Sequence, residues 1–178
     1  MNNVEEVVQV ISVGLVVAGF LLNTSRCLKA IELCKECLFI LKDRVSIKNK
    51  KLSKLLYMRI YLLMWRACNR ISDDTNAMKY AEKLLQIYRE SGERREEYKL
   101  SMTLGVMYSA QSRYAQAIQL IENALLISKE IGDRNGEATC YTILGNVYQS
   151  VGEYEKASEY LEKTLVIKKE IGDRKSVV

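Results

Sequence analysis

The sequence has no histidine and no proline, and its 178 residues include only two phenylalanines and nine glycines. Without histidine, the most common general base at neutral pH is missing. No glycine-rich loop of the phosphate-binding kind follows a candidate strand, and the serines and cysteines lack a neighbouring base that would activate them. The sequence therefore predicts a protein that is not an enzyme and needs no cofactor.

The scarcity of proline and glycine also bears on the fold. Folds built from strands and tight turns rely on both residues, and so do disordered linkers. Hydrophobic residues make up 48% of the sequence and charged residues 28%. This balance is typical of long amphipathic helices that bury one face and keep the other in water. We therefore expect an all-α protein.

The five cysteines indicate packing and not metal binding. Cys34 and Cys37 have the spacing of a zinc-ligand pair, but no second pair and no histidine completes a tetrahedral site. We expect both to be buried on a helix face, with no metal bound. An odd number of unpaired cysteines also predicts a reducing compartment, hence a cytoplasmic location.

Positive charge is concentrated in residues 44–54, within a net charge of +5. The basic residues of this segment are Arg44, Lys48, Lys50, Lys51 and Lys54. Such a run could contact a nucleic acid or an acidic lipid surface. More commonly it is a solvated connector, and we predict that here, with no nucleic-acid partner.

Residues 7–22 form a nearly uninterrupted apolar run. As a helix this run would be about 24 Å long, short of the ~30 Å hydrocarbon core of a membrane. Glu5 and Glu6 stand where a signal peptide would carry basic residues. We expect a terminal helix of the fold that is buried on most sides, and membrane insertion is the alternative.

A hexapeptide recurs at a spacing of forty residues. Lys-Glu-Ile-Gly-Asp-Arg occupies residues 129–134 and 169–174, and a degraded copy, Arg-Glu-Ser-Gly-Glu-Arg, occupies 89–94. Other positions keep the same spacing: Gly105 and Gly145, Tyr108 and Tyr148, Tyr114 and Tyr154, and Ala77, Ala117 and Ala157. A fixed period of this length indicates stacked supersecondary units that contact only their neighbours.

Each forty-residue period predicts a hairpin of two helices. Apolar residues recur every three or four positions over residues 134–151 and again over 154–171. Gly152 should interrupt the helical structure between the two helices, and Gly172 should end the second helix. Asp133 should cap the start of the first. Gly145 and Ala157 are small, which should let the two helices approach closely.

Four such repeats can be placed in one array over residues 1–178, at approximately 4–44, 51–91, 94–131 and 134–171. In the second repeat Trp65 stands where glycine is expected, so this helix pair should be splayed. Residues 172–178 should begin a further helix that is cut short. We therefore expect the chain to be a fragment of a longer array.

The repeat pattern resembles that of the tetratricopeptide repeat. The fourth repeat carries Tyr141, Leu144-Gly145, Tyr148 and Ala157, and the third carries Ser101, Leu104-Gly105, Tyr108 and Ala117. The resemblance implies a right-handed α-solenoid of stacked antiparallel helix hairpins. The period of forty exceeds the usual thirty-four. The Glu-Ile-Gly-Asp-Arg and Leu-Gly-Asn-x-Tyr motifs look like the repeats of Pins-type scaffolds, the G-protein-signalling modulators.

In arrays of this type the first helix of each hairpin lines a concave groove that holds an extended peptide or a partner helix. The residues expected to face the groove are Thr139, Thr142, Asn146 and Gln149 in the fourth repeat, Lys99, Met102, Thr103, Val106 and Ser109 in the third, Arg59, Leu62, Leu63, Arg66, Asn69 and Arg70 in the second, and Ser12, Leu15, Val16, Gly19 and Leu22 in the first.

Two groups in this set suggest what is bound. Asn146 matches the asparagine of the family's Leu-Gly-Asn motif, which the resemblance implies would bond a peptide backbone; the alternative is a plain exposed amide. Arg59, Arg66 and Arg70 share one helix face and favour acidic partners, unless they are simply solvated. Leu62 and Thr142 stand where the chaperone-type members carry lysine, which disfavours a chaperone cofactor.

The predicted function is a non-enzymatic scaffold for protein–protein interaction. Two alternatives remain: a membrane-anchored form of the array through residues 7–22, or the recognition arm of a larger signalling protein or enzyme. We also expect self-association through the carboxyl end, where Tyr160, Leu161 and Leu165 should be exposed.

Overall fold

A computed structural model describes residues 3–43 and 50–175, which form eight α-helices. In chain order these are α1 (Asn3–Asn23), α2 (Cys27–Asp43), α3 (Lys50–Arg70), α4 (Asp74–Ser91), α5 (Arg94–Ala110), α6 (Tyr114–Glu130), α7 (Arg134–Val151) and α8 (Tyr154–Lys175). The described residues contain no strand, and the predicted all-α class is confirmed. Most of the basic connector and the helix start predicted at residues 176–178 lie outside them.

The chain divides into two compact units, Met1–Ile87 and Tyr88–Val178, and the division falls within α4. In the first unit α1 packs against α2 and α3, and α2 also packs against α3. In the second unit α5 pairs with α6 and α7 with α8, while α7 also contacts α5 and α6. Within each unit a hairpin therefore touches the next hairpin in sequence, as in a repeat array.

The turn inside each hairpin contains one residue in the left-handed conformation. These residues are Ser25, Ser72, Ser112 and Gly152, with φ of 61°, 56°, 59° and 88°. The predicted break at Gly152 is confirmed, since Gly152 is the C-cap of α7. A left-handed residue lets the chain reverse at once while its backbone amides bond the carbonyls of the helix just ended.

Close helix contact explains the recurring glycines inside α5 and α7. A Cβ atom added to Gly145 would lie 2.8 Å from Cγ of Leu161 and 3.3 Å from the carbonyl oxygen of Ala157. At Gly105 a Cβ atom would lie 2.5 Å from Cγ1 of Ile121. Neither site has room for a methyl group, so the expected close approach is confirmed. Trp65 takes this position in α3; the splay expected there stays a prediction.

Only one side of α1 is buried. Ile11, Leu15, Ala18 and Leu22 are at most 2% exposed and face the core of the first unit. The expectation of a helix buried on most sides is wrong, because α2 and α3 cover a single face. The segment Glu5–Asn23 is long and apolar enough to cross a membrane, with mean hydropathy 1.9 and 22% of it buried.

Gly172 does not end α8, contrary to expectation: the helix continues to Lys175. The equivalent Gly132 is left-handed, with φ of 70°. Glycine permits that conformation without imposing it. After Gly132 the turn is fixed by Asp133, whose backbone N–H donates to the carbonyl of Ser128 at 2.9 Å and whose carboxylate caps α7.

The five cysteines lie buried, as predicted for Cys34 and Cys37, and none is in a disulfide. Cys34 is fully buried and Cys37 is 3% exposed, both in the core beneath α1. Burial, followed by the nearby Cys37, raises the pKa of Cys34 to about 12, because the thiolate would lose its hydration. These thiols serve as small apolar packing groups.

Candidate functional site

The exposed side of α7 carries two free amides. The helix buries Tyr141, Leu144 and Gly145 and leaves Asn146 and Gln149 in solvent. Neither side-chain amide has a hydrogen-bond partner in the part of the chain that the structure describes. An amide group offers both a donor and an acceptor, as a peptide backbone does. This side of α7 can therefore pair with a backbone laid across it.

The threonines of α7 are already engaged. The hydroxyl of Thr139 donates to the carbonyl of Asn135 at 2.9 Å. Thr142 is half-buried: its hydroxyl donates to the carbonyl of Ala138 at 2.9 Å and lies 3.3 Å from Oγ1 of Thr164. These bonds tie Thr142 to the hairpin interior, so it has less to offer a ligand than the two amides.

The neighbouring helix α5 presents a mixed surface. Lys99 is exposed and lies 3.5 Å from the carboxylate of Glu96. Thr103, like the α7 threonines, donates to its own helix, to the carbonyl of Lys99 at 3.0 Å. Val106 is 48% exposed at the position equivalent to Asn146. Met102 and Ser109, also expected on this face, are half-buried.

The three arginines of α3 have different surroundings. Arg59 and Arg66 are exposed and form no ion pair with any described residue. Arg70 instead donates a hydrogen bond to the carbonyl of Leu22, near the end of α1. The carbonyl of Leu22 also accepts from the backbone N–H of Ser25 at 3.2 Å, and a cation at this point complements the negative end of the helix dipole. Of the predicted set, Arg59 and Arg66 are therefore open to a ligand.

The expectation that Leu15 and Leu22 face a groove is wrong. Both lie in the core of the first unit, at 1% and 2% exposure. This side of α1 packs against α2 and α3, so the register carried over from the later repeats does not hold in α1. Ser12 and Gly19 are half-buried, and Val16 is 60% exposed.

Two buried carboxylates were not predicted from the sequence. Glu97 and Glu137 are 5% and 6% exposed and occupy equivalent positions in α5 and α7. Arg94 bonds Glu97 at 3.0 Å, and Arg89 approaches it at 3.4 Å. Arg134 bonds Glu137 in the same way. Buried carboxylates need such partners, since an unpaired buried charge is strongly destabilising.

Arg94 and Arg134 each also contact a second helix. Arg94 pairs with Glu130 at the end of α6, and Arg134 pairs with Glu170 near the end of α8. A planar guanidinium can bond two carboxylates at once. The recurring Glu-Ile-Gly-Asp-Arg segment contains Glu130, Arg134 and Glu170, so part of this network repeats in the sequence. The network was not predicted because Glu97 and Glu137 lie outside the hexapeptide.

Hydrogen bonds to the carboxylate of Asp133 hold the turn between α6 and α7. Asp133 accepts hydrogen bonds from the backbone N–H of Gly136 at 2.9 Å and from the hydroxyl of Tyr98 at 3.0 Å. The predicted Asp133 cap is thus confirmed. The Gly136 bond is the main cause that lowers the pKa of Asp133. Burial, and then the bond to Asp133, raises the pKa of Tyr98 to about 12.

Paired tyrosines with a lysine above them recur at a spacing of eighty residues. The two sets are Tyr61, Tyr80 and Lys83 in α3 and α4, and Tyr141, Tyr160 and Lys163 in α7 and α8. The ring centroids are 6.3 and 5.9 Å apart. Lys83 lies 5.3 Å from the centre of the Tyr61 ring, and Lys163 lies 5.9 Å from the centre of the Tyr141 ring. Each of these cation–π contacts joins the two helices of one hairpin.

A cleft of about 460 Å³ lies between α7 and α8. Its lining consists of Arg134, Glu137, Tyr141, Glu159, Glu162, Lys163, Val166 and Ile167. Both signs of charge are present, and Arg134 and Glu137 already pair with each other. The described residues hold no group of histidine, cysteine, aspartate and glutamate that could bind a metal ion. The cleft thus supplies no arrangement typical of catalysis.

A tetratricopeptide-repeat family profile matches residues 95–170, which lie within α5 to α8. A search of curated proteins finds no significant match. The resemblance to Pins-type scaffolds therefore stays a prediction.

Known structures support the same fold. A signal-transduction ATPase with numerous domains and a tetratricopeptide-repeat sensor, from Pyrococcus horikoshii, is 23% identical, with a TM-score of 0.72 over 93% of this chain and 25% of the ATPase. The tetratricopeptide-repeat domain of Arabidopsis FLU is 23% identical, with a TM-score of 0.57 over 64% of this chain and 95% of that domain. At these identities the similarity shows the fold alone.

The C-terminal repeat domain of an FK506-binding protein from Plasmodium falciparum is 19% identical, with a TM-score of 0.60 over 83% of this chain and 97% of that domain. Repeats of this type are typically non-enzymatic scaffolds for protein–protein interaction and commonly bind protein partners. The profile match, the helix hairpins and the shared fold agree. Residues 95–170 are tetratricopeptide repeats, and the described chain has the all-α fold of tetratricopeptide-repeat solenoids.

Proposed function

We propose that the chain binds an extended peptide or a partner helix across the exposed sides of α5 and α7. The observation that carries this proposal is the Asn146 amide, which is exposed and has no hydrogen-bond partner in the described part of the chain. It lies on α7, which contacts α5 directly, so the exposed sides of the two helices adjoin. A bound backbone there would meet Asn146 and Gln149 on one helix and Val106 and Lys99 on the other.

These side chains would make different contributions to peptide binding. Asn146 and Gln149 can exchange hydrogen bonds with backbone N–H and C=O groups, which every peptide has. Val106, at 48% exposure, offers an apolar contact to one ligand side chain. Lys99 offers a positive charge, partly offset by Glu96 at 3.5 Å. The amides should therefore give affinity with little sequence preference.

In the first unit, Arg59 and Arg66 support a preference for acidic partners. They are seven residues apart on α3, hence two turns apart on the same face, and both are exposed. Guanidinium groups bond carboxylates in a bidentate way, and an exposed pair attracts acidic chains over a longer range. This preference should depend on salt, since exposed charges are screened.

Asn146→Ala should weaken peptide binding by about 0.5–1.5 kcal/mol, because one amide that bonds the backbone is lost. The loss should be the same for two labelled random-peptide pools, one rich in aspartate and glutamate and one neutral, titrated by fluorescence anisotropy. Thr139→Ala is the matched control: this residue is exposed on the same helix, but its hydroxyl bonds its own backbone. Equal binding by wild type and Asn146→Ala would exclude this surface.

Replacing Arg59 and Arg66 together with serine should weaken the acidic pool several-fold and leave the neutral pool unchanged. The salt dependence of acidic-pool binding should flatten, because the lost attraction is electrostatic. Lys79→Ser, an exposed charge on α4 of the same unit, is the control for net charge. If Lys79→Ser has the same effect, the preference comes from overall charge and not from these two arginines.

A second proposal is that the chain is the recognition arm of a larger signalling protein. It rests on the similarity to the Pyrococcus horikoshii ATPase, whose repeats form a sensor and of which this chain spans 25%. The full reading frame of the transcript tests it directly. We also propose a cytoplasmic location, which the five free buried cysteines support.

A further inference from the structure

Helix α1 has a second apolar stripe, on the side opposite its buried one. The exposed residues are Val10, Val13, Val16, Val17 and Phe20, at 59%, 64%, 60%, 43% and 64% exposure. No charged residue lies between Glu6 and Arg26. A contiguous apolar surface of this kind marks a site of interaction, whereas apolar residues scattered singly do not.

The spacing of this stripe fits another helix. Val10, Val13, Val17 and Phe20 follow intervals of three, four and three residues, which place side chains along one seam of a helix pair. β-Branched residues at such positions pack well between two helices. The stripe thus has the form of half a helix–helix interface.

The charges at the two ends of α1 decide which helix fits best. Glu5 and Glu6 are exposed in the first turn, and Arg26 and Lys29 are exposed just beyond the last. In an antiparallel pair of α1 helices, the acidic end of each copy meets the basic end of the other. In a parallel pair, like charges would face each other and repel.

We propose that α1 is the interface of a homodimer in which two copies pack their α1 helices antiparallel about a two-fold axis. With the axis midway between Val13 and Val17, Val13 faces the partner's Val17 and Val10 faces the partner's Phe20. An isologous interface of this kind uses one patch twice and closes on itself. The proposal is independent of peptide binding on α5 and α7 and of the arginines on α3.

Two observations weigh against a membrane as the occupant. Spanning would pull Ile11, Leu15 and Leu22 out of the core and break the bond from Arg70 to the Leu22 carbonyl. Helices that lie in the lipid interface carry basic residues beside their apolar face, but here Glu5 and Glu6 stand at the start. A second copy of α1 would cover the apolar stripe and pair with the charges at both ends of the helix.

The test is analytical ultracentrifugation of the intact chain over a concentration series, in which wild type should dimerise. Val13→Glu should raise the dimer dissociation constant about tenfold or more, because it places a charge at the centre of the seam. Leu126→Glu is the matched control: Leu126 is 60% exposed on α6, so the same charge is added at similar exposure away from α1. Circular dichroism melts should show both variants folded.

Charge reversal tests the antiparallel arrangement. Glu6→Arg alone and Arg26→Glu alone should each weaken the dimer several-fold, and the double variant should restore it, because opposite charges meet again across the interface. Wild type that stays monomeric at every concentration would overturn the proposal. So would a dimer retained in Val13→Glu but lost in Leu165→Glu, because association would then occur through the carboxyl end. Co-sedimentation of wild type with phosphatidylcholine vesicles, abolished by Val13→Glu, would assign the stripe to lipid instead.

Discussion

The Ala157→Leu protein is expected to be less stable than wild type by about 1–3 kcal/mol, because leucine overpacks the contact between α7 and α8. Ala157 is 4% exposed, and its carbonyl oxygen lies 3.3 Å from the position a Cβ would take at Gly145. Three added carbon atoms can fit only if the two helices separate. Separation would also weaken the packing of Leu161 on Gly145.

Urea unfolding followed by circular dichroism measures the effect. Ser158→Leu is the matched control, since it adds an apolar side chain at the next residue, which is exposed. Its stability should lie within about 0.5 kcal/mol of wild type. If Ala157→Leu unfolds at the same urea concentration as Ser158→Leu, the close crossing of α7 and α8 is not as described.

Arg134→Leu is expected to lower the free energy of unfolding, because it leaves the buried Glu137 carboxylate without its partner. The loss should be smaller than that from a fully buried ion pair, because the Arg134 side chain is 42% exposed. The Glu137 side chain is 8% exposed, so it would keep a charge without its partner. The Glu170 side chain is 46% exposed, so solvent can hydrate its carboxylate when Arg134 is absent.

The double variant Arg134→Leu/Glu137→Leu should recover most of that loss, because no unpaired charge stays buried. Lys156→Leu provides the contrast, since it breaks the exposed pair with Glu153, whose side chains are 55% and 46% exposed. This change should cost about 0.5 kcal/mol or less. Chemical denaturation of the four proteins separates the cases. A double variant no more stable than Arg134→Leu would show that the guanidinium matters for packing and not for Glu137.

The sequence by itself determined the hairpin architecture. Its information is local and repeated: apolar residues every three or four positions, Asp133 before a helix, and Gly152 between two helices. Such signals act within a few residues of the chain, and the period presents each of them more than once. The need for a small residue at Gly145 could also be read, because Gly105 fills the same position one repeat earlier and both glycines pack against the next helix.

The tertiary structure alone decided which side of each helix is used. The run at residues 7–22 is apolar on every side, so its pattern could not show that Leu15 and Leu22 are buried while Val13 and Phe20 are exposed. The bond from Arg70 to Leu22 and the reach of Arg134 to Glu170 join residues 48 and 36 positions apart. Partners at such distances come together only when the helices pack, because nothing in the local sequence records which neighbour a side chain will meet.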